Sequence, residues 1–163
     1  MSTSRKLLIF GGLALAAFGM LYGLYYALFA EHQALDRMGS ALTEAFVHAA
    51  QRHLPESDAS LQDYARTKYV YTRQVDVHSH WIGLAMLLIA LGVVFDRVGF
   101  AEATRLWIAS ALLCGAIVFP LGVLLQTASL GTASSALAIF GSACVIGALA
   151  LTALGFARGE RIP

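Results

Sequence analysis

Gln74-Val75-Asp76-Val77-His78-Ser79-His80-Trp81-Ile82-Gly83 is where the character of this chain changes. Before it lies a polar segment of nearly fifty residues. After it, Leu84 to Phe95 carries no charge until Asp96. Two histidines and a tryptophan therefore stand at the mouth of an apolar helix. An ionisable side chain at such a boundary costs free energy unless something uses it, which makes it a functional candidate. The reading of the chain turns on what His78 and His80 hold.

The totals set the class. Of 163 residues, 58% are hydrophobic and 13% charged, with mean hydropathy +0.70. A soluble domain is far more polar. The formal net charge of +1 leaves no basic face for nucleic acid. Cys114 and Cys144 lie inside apolar runs without CxxC or CxxH spacing, so they read as small core residues, neither zinc ligands nor a disulfide.

Leu7 to Ala30 is an uninterrupted apolar run. It is longer than the 7–15 residues, roughly, of a signal peptide's apolar region. It suffices to cross a hydrocarbon core of about 30 Å, which takes about 20 residues. Gly11-Gly12, Gly19 and Gly23 are spaced to admit a second helix closely, and Tyr22, Tyr25 and Tyr26 fall where an interfacial aromatic belt sits. Further spans are expected at 78–95, 106–126 (with Pro120 near its far end) and 136–157. A charged turn, Asp96 to Arg105, joins the second and third; a small polar loop, Thr127 to Ser135, joins the third and fourth. Small residues on the last two spans (Ala109, Ser110, Gly115, Ala116, Gly122; Gly141, Ser142, Gly147, Ala148) favour tight packing and oligomers. The expected fold is all-α: a single membrane domain, a four-helix bundle with an amphipathic helical excursion at 31–77.

That excursion holds seven acids, five Lys/Arg and three of the five histidines. Leu35, Met38, Leu42, Phe46 and Ala49 recur at helical spacing, predicting an amphipathic helix over 31–54 that Pro55 ends. Ser57 or Asp58 is the expected cap of the next helix. There, Leu61, Tyr64, Lys68, Tyr71, Val75, His78 and Ile82 form one stripe running into the second span. His80 is two residues beyond His78, about 200° around a continuous helix, so the two histidines cannot share a helix face. Arg5, Lys6, Arg97, Arg105, Arg158 and Arg161 fall on one side, and the loop opposite has no Lys or Arg. The positive-inside rule then puts both termini in the cytoplasm and 31–77 outside, in a bacterial inner membrane.

His78 is the leading candidate ligand, because neutral imidazole binds metals and is the common axial ligand of b-type haem. The bland alternative is an interfacial histidine that snorkels to the headgroups. His80 beside Trp81 is the second choice and fits an ordinary aromatic belt equally well. Lys68, Tyr71 and Arg73 are the polar groups nearest His78; with a haem present they are placed to hold its propionates. Glu44 and His48 stand at i,i+4 and can share a metal. His32 and His53 carry no pattern.

His78-Ser79, the apolar helix, and Gly99-Phe100-Ala101-Glu102-Ala103-Thr104-Arg105 resemble the second helix and following turn of the styrene oxide isomerase family, over about thirty ungapped residues. The resemblance implies a four-helix membrane protein, assembled as a trimer, binding haem b at subunit interfaces through a histidine at the start of the second helix, here His78. In that family ferric haem acts as a Lewis acid on an epoxide, and an Asn, a Tyr and an Asp position the substrate. This chain has no Asn; Leu84 stands near that position, Cys114 near the Asp, and no Tyr follows Tyr71. The polar excursion is also longer than the family's. Haem binding carries over onto His78; the isomerase mechanism does not carry over residue by residue. Three readings follow: a haem b protein with a redox or haem-based role; an isomerase-like enzyme with a rewired pocket; or a cofactor-free accessory subunit of a larger membrane complex.

Overall fold

A computed structural model describes residues 1–128 and 131–159. Among them the chain is all α-helical: α1 (Thr3–Tyr25), α2 (Glu31–Ala50), α3 (Leu54–Val94), α4 (Glu102–Ala128) and α5 (Thr132–Gly159). A π-helical turn, Tyr26–Ala30, joins α1 to α2 without a break, and a 3₁₀ turn, Phe95–Arg97, follows α3. Four of the resulting rods are long and apolar enough to cross a membrane. Their outer faces carry large apolar side chains such as Phe10, Leu21, Met86, Trp107, Phe140 and Ile146, all exposed. This is the outside of a membrane-embedded helical bundle, where lipid replaces water as the solvent.

α1 and α3 run antiparallel in a register read directly from their contacts. Ile9 and Leu8 meet Gly92, Gly12 meets Ala85 and Ile89, Gly19 meets Trp81 and Ile82, Gly23 meets His78, and Tyr26 faces Tyr71. The glycine spacing expected to admit a second helix does so. α4 closes a three-helix core around Leu8, Trp81, Leu88, Leu112 and Ala116. α5 packs chiefly along α4, backbone against backbone: a Cβ on Gly122 would lie 2.4 Å from the Ala138 nitrogen. Helices in lipid gain little from excluding water, so such close approach is where their association energy comes from.

The charged turn after α3 is a latch. Glu102 accepts the backbone N–H of Ser4 at 2.8 Å and its hydroxyl at 3.1 Å. Asp96 accepts from Ser2 and from Arg5 at 3.1 Å. Arg105 holds Glu102 at 2.9 Å and the Asp96 carbonyl at 3.1 Å. Gly99 N–H donates to Gly155 of α5 at 2.9 Å. The turn thus takes the free Ser4 N–H at the start of α1, where the Ser2 hydroxyl takes that of Arg5, and it pins the end of α5.

Several expectations are corrected. The hairpin between the first and second spans turns at Gln51-Arg52-His53, and Pro55 sits in the first turn of α3, where its missing N–H has no cost. Ser57 caps nothing; it is buried and donates to Ala45 O at 2.9 Å across the hairpin. α2 lays Ala41 and Ala45 on α3, while Leu35 and Phe46 of the expected stripe point outward, Phe46 69% exposed. The buried face of α2 is the one that carries Ala41 and Ala45, with Ser57 bonded to the Ala45 carbonyl. Trp81, read as a belt residue, is 1% exposed and lies in the core. Cys114 and Cys144 are free, but Cys114 is exposed, not a core residue. The loop at 127–135 contracts: Thr127 and Ala128 complete α4, and 132–135 open α5. Ser129 and Leu130 lie outside the described residues, as does Arg161.

Candidate functional site

α3 passes through His78, Ser79 and His80 without interruption. The two imidazoles therefore diverge. His80 turns toward α4, its ring centre 4.6 Å from that of Phe119. His78 turns toward α1, and its Nδ1 lies 3.0 Å from the carbonyl oxygen of Gly19.

A carbonyl only accepts, so this contact makes Nδ1 the protonated nitrogen. Nε2 of the neutral ring then carries the lone pair. Among the described residues Nε2 has no hydrogen-bond partner. The ring is held from beneath as well. A Cβ on Gly23 would fall 2.4 Å from Cε1 of His78, so only a glycine there admits the imidazole. His78 remains half-buried at the edge of the α1–α3 seam.

Around it is a layer of aromatic and polar groups. Trp81 lies one turn deeper, edge-on to Phe18 at 4.8 Å and Tyr22 at 5.2 Å. Its Nε1 is buried with no partner among the described residues. In the other direction Tyr26, at the first position of the π turn, is buried against Tyr71, ring centres 6.2 Å apart. The Tyr26 hydroxyl is also buried and unpartnered among the described residues. Two buried orphaned donors, Trp81 Nε1 on one side of His78 and the Tyr26 hydroxyl on the other, are unusual, because buried polar groups normally find partners. π turns themselves concentrate at functional sites.

Two concave surfaces flank the layer. Toward the membrane interior, Gly11, Leu15, Phe18, Trp81, Leu113 and Leu121 line an almost wholly apolar groove of about 390 Å³ between α1, α3 and α4. On the other side, Tyr25, Phe29, Arg37, Arg66, Tyr71 and Gln74 line a more polar groove of about 550 Å³.

The remaining candidates separate. Tyr71 joins the layer. Lys68 is exposed, its ammonium 5.8 Å from the ring centre of Tyr64. Arg73 lies over Tyr69 at 5.3 Å and 3.7 Å from Asp76. Glu44 is exposed and His32 is exposed. Among the described residues no three His, Cys, Asp or Glu side chains gather as a metal cluster. Sequence reasoning missed the Gly19 carbonyl, Gly23, Trp81 and Tyr26. Gly19, Gly23 and Tyr26 were signalled by their i, i+4, i+7 spacing on one face of the first span. No family model, no curated protein and no solved structure matches this chain.

Proposed function

We propose that this protein binds haem b in the membrane, with Nε2 of His78 as axial ligand. The observation that carries the reading is the Nδ1–H bond from His78 to the Gly19 carbonyl. Histidines that bind metals characteristically donate their other ring N–H to a carbonyl or carboxylate, which fixes the tautomer and orients the ring. His78 has that arrangement with its coordinating nitrogen free, and the donor set fits a haem that takes one ligand from each chain. Tyr71 would offer a phenol to a propionate; Lys68 and Arg73 would have to leave Tyr64, Tyr69 and Asp76 to supply a cation. When bound, the haem supplies either one-electron exchange or a Lewis-acidic iron. The chain's own residues, the Gly19 carbonyl and Gly23, orient the ligand.

A redox or haem-based role is favoured. A second reading, isomerase-like chemistry, is supported by the apolar groove beside Trp81, whose size suits a small apolar substrate. The half-buried edge position of His78 supports oligomers, a trimer by resemblance to the isomerase family, in which a second copy covers the macrocycle. The Lys/Arg distribution supports a bacterial inner membrane with cytoplasmic termini and the α2–α3 hairpin outside.

The test is the visible spectrum of detergent-purified protein, expressed with haem supply, oxidised and dithionite-reduced, beside His78→Ala and His80→Ala. A Soret band lost in His78→Ala and kept in His80→Ala supports the proposal. A colourless wild-type preparation sinks it and leaves the accessory-subunit reading, in which case co-purifying chains identify the partner. A low-spin six-coordinate iron favours electron transfer; an exchangeable sixth position favours the isomerase-like reading.

A further inference from the structure

Far from His78, at the tip of the hairpin, α2 turns into α3 through a motif with defined hydrogen bonds. Arg52 N–H donates to Ala49 O at 3.0 Å and His53 N–H donates to His48 O at 2.8 Å. Arg52 between them has φ 61, the left-handed conformation. These are the two reverse bonds of a Schellman turn. The motif drives together the residue three before the cap and the residue two after it, and that pair is ordinarily apolar. Here the pair is His48 and His53.

Their rings lie 6.3 Å apart, centre to centre, at an interplanar angle of 36°. Nδ1 of His48 is buried and has no hydrogen-bond partner among the described residues. Both limbs of the turn are fixed: Ser57 N–H donates to His53 O at 3.0 Å, and the Ser57 hydroxyl donates to Ala45 O. The backbone thus presents two imidazoles from opposite limbs at a set separation.

We propose that His48 and His53 form a two-imidazole chelate for a divalent d-block ion at the hairpin tip, with water completing the coordination. Two imidazole nitrogens each about 2.0–2.1 Å from one ion hold their ring centres roughly 5–6 Å apart. Chelation requires side-chain rotation that turns one nitrogen of each ring onto the ion and closes the rings by about 1 Å. Imidazole suits Cu²⁺, Ni²⁺ and Zn²⁺, with Cu²⁺ the tightest. The site takes two ligands from the protein, so its ion exchanges with solvent. It does not depend on the haem reading of His78. The ring that lies beside His48 is that of His53, across the turn.

The test uses the tag-free full chain in detergent, titrated with Cu²⁺ and followed by calorimetry and electron paramagnetic resonance. The expected result is one Cu²⁺ per chain with two nitrogen ligands. His48→Ala and His53→Ala each leave one nitrogen and bind on the order of tenfold weaker or more, because the second ligand otherwise binds intramolecularly. His32→Ala leaves this signal unchanged. Should an alanine variant unfold, as read by circular dichroism, His48→Gln and His53→Gln replace it. Wild-type protein that takes up no Cu²⁺, or binding unchanged in the His48/His53 double variant, overturns the proposal.

Discussion

The imidazole of His78 is clamped between two points of α1: the Gly19 carbonyl, 3.0 Å from Nδ1, and the bare Cα of Gly23, where a Cβ would sit 2.4 Å from Cε1. One contact sets which nitrogen is protonated. The other sets where the ring lies. Neither is a property of α3, the helix that carries the histidine.

Gly23→Ala therefore tests the clamp. The new methyl must displace the ring, since a Cβ there would lie 2.4 Å from Cε1 of His78. Overpacking of this kind costs about 1–3 kcal/mol. The expected outcome is a lower melting temperature in detergent and loss of the His78–Gly19 bond, with any haem signal weakened. Gly83→Ala is the matched control on α3: nothing lies within 4 Å of its Cβ, so stability is unchanged or slightly raised. Equal behaviour of the two variants in thermal melts contradicts the clamp.

The α4–α5 seam makes a stricter version of the same prediction. At Gly122 the obstructing atoms are the Ala138 nitrogen at 2.4 Å and Cα at 2.7 Å, backbone that cannot rotate aside. Gly122→Ala must push α5 away from the helix it chiefly packs on. The expected cost is at or above the upper end of about 1–3 kcal/mol. Gly147→Ala, with open space at its Cβ, is neutral. Melting temperatures of the two variants, measured in one detergent, decide it.

The latch at the start of α1 gives a pH dependence. The Ser2 hydroxyl and Arg5 hold the Asp96 carboxyl below the usual carboxylate range. The Ser4 N–H and hydroxyl, with Arg105, do the same for Glu102. A carboxyl with a lowered folded pKa stabilises the fold at pH values above its unfolded pKa. That contribution is lost as pH falls from about 4 through the lower folded values. Stability should thus be flat near neutrality and decline in acid. Glu102→Gln should flatten the acid limb while lowering stability at pH 7. An unchanged acid limb in melts of that variant argues against the latch.

How much of this was legible beforehand depends on what each residue type determines alone. Long apolar runs separated by charge mark spans, because lipid admits little else, and the four rods appear where those runs lie. Glycine spacing on the first span announced a helix contact for the same local reason. What the sequence left hidden was pairing. Leu35 and Phe46 have helical spacing with Met38, yet the face used by α2 is the one with Ala41 and Ala45, which hydrophobicity along the chain does not single out. Trp81 reads as an interfacial aromatic from its neighbours, and only the crossing of α1 buries it. His53 carries no pattern along the chain; its relation to His48 exists only through the left-handed turn at Arg52.

Arg52 itself supplies the last prediction. It is the only non-glycine residue with positive φ among the described residues, at φ 61. For an L-residue this conformation costs roughly 1–2 kcal/mol, and the position in a Schellman turn usually belongs to glycine. Arg52→Gly removes the clash while keeping both reverse hydrogen bonds, which are made by backbone atoms. Its extra freedom in the unfolded chain offsets part of the gain, leaving a net stabilisation on the order of 0.5–1 kcal/mol. Arg52→Val, β-branched and intolerant of positive φ, should destabilise by more than that and spread the His48–His53 pair. Thermal melts read the first effect and Cu²⁺ titration the second. If Gly and Val at this position leave both readouts alike, the turn does not organise the two histidines.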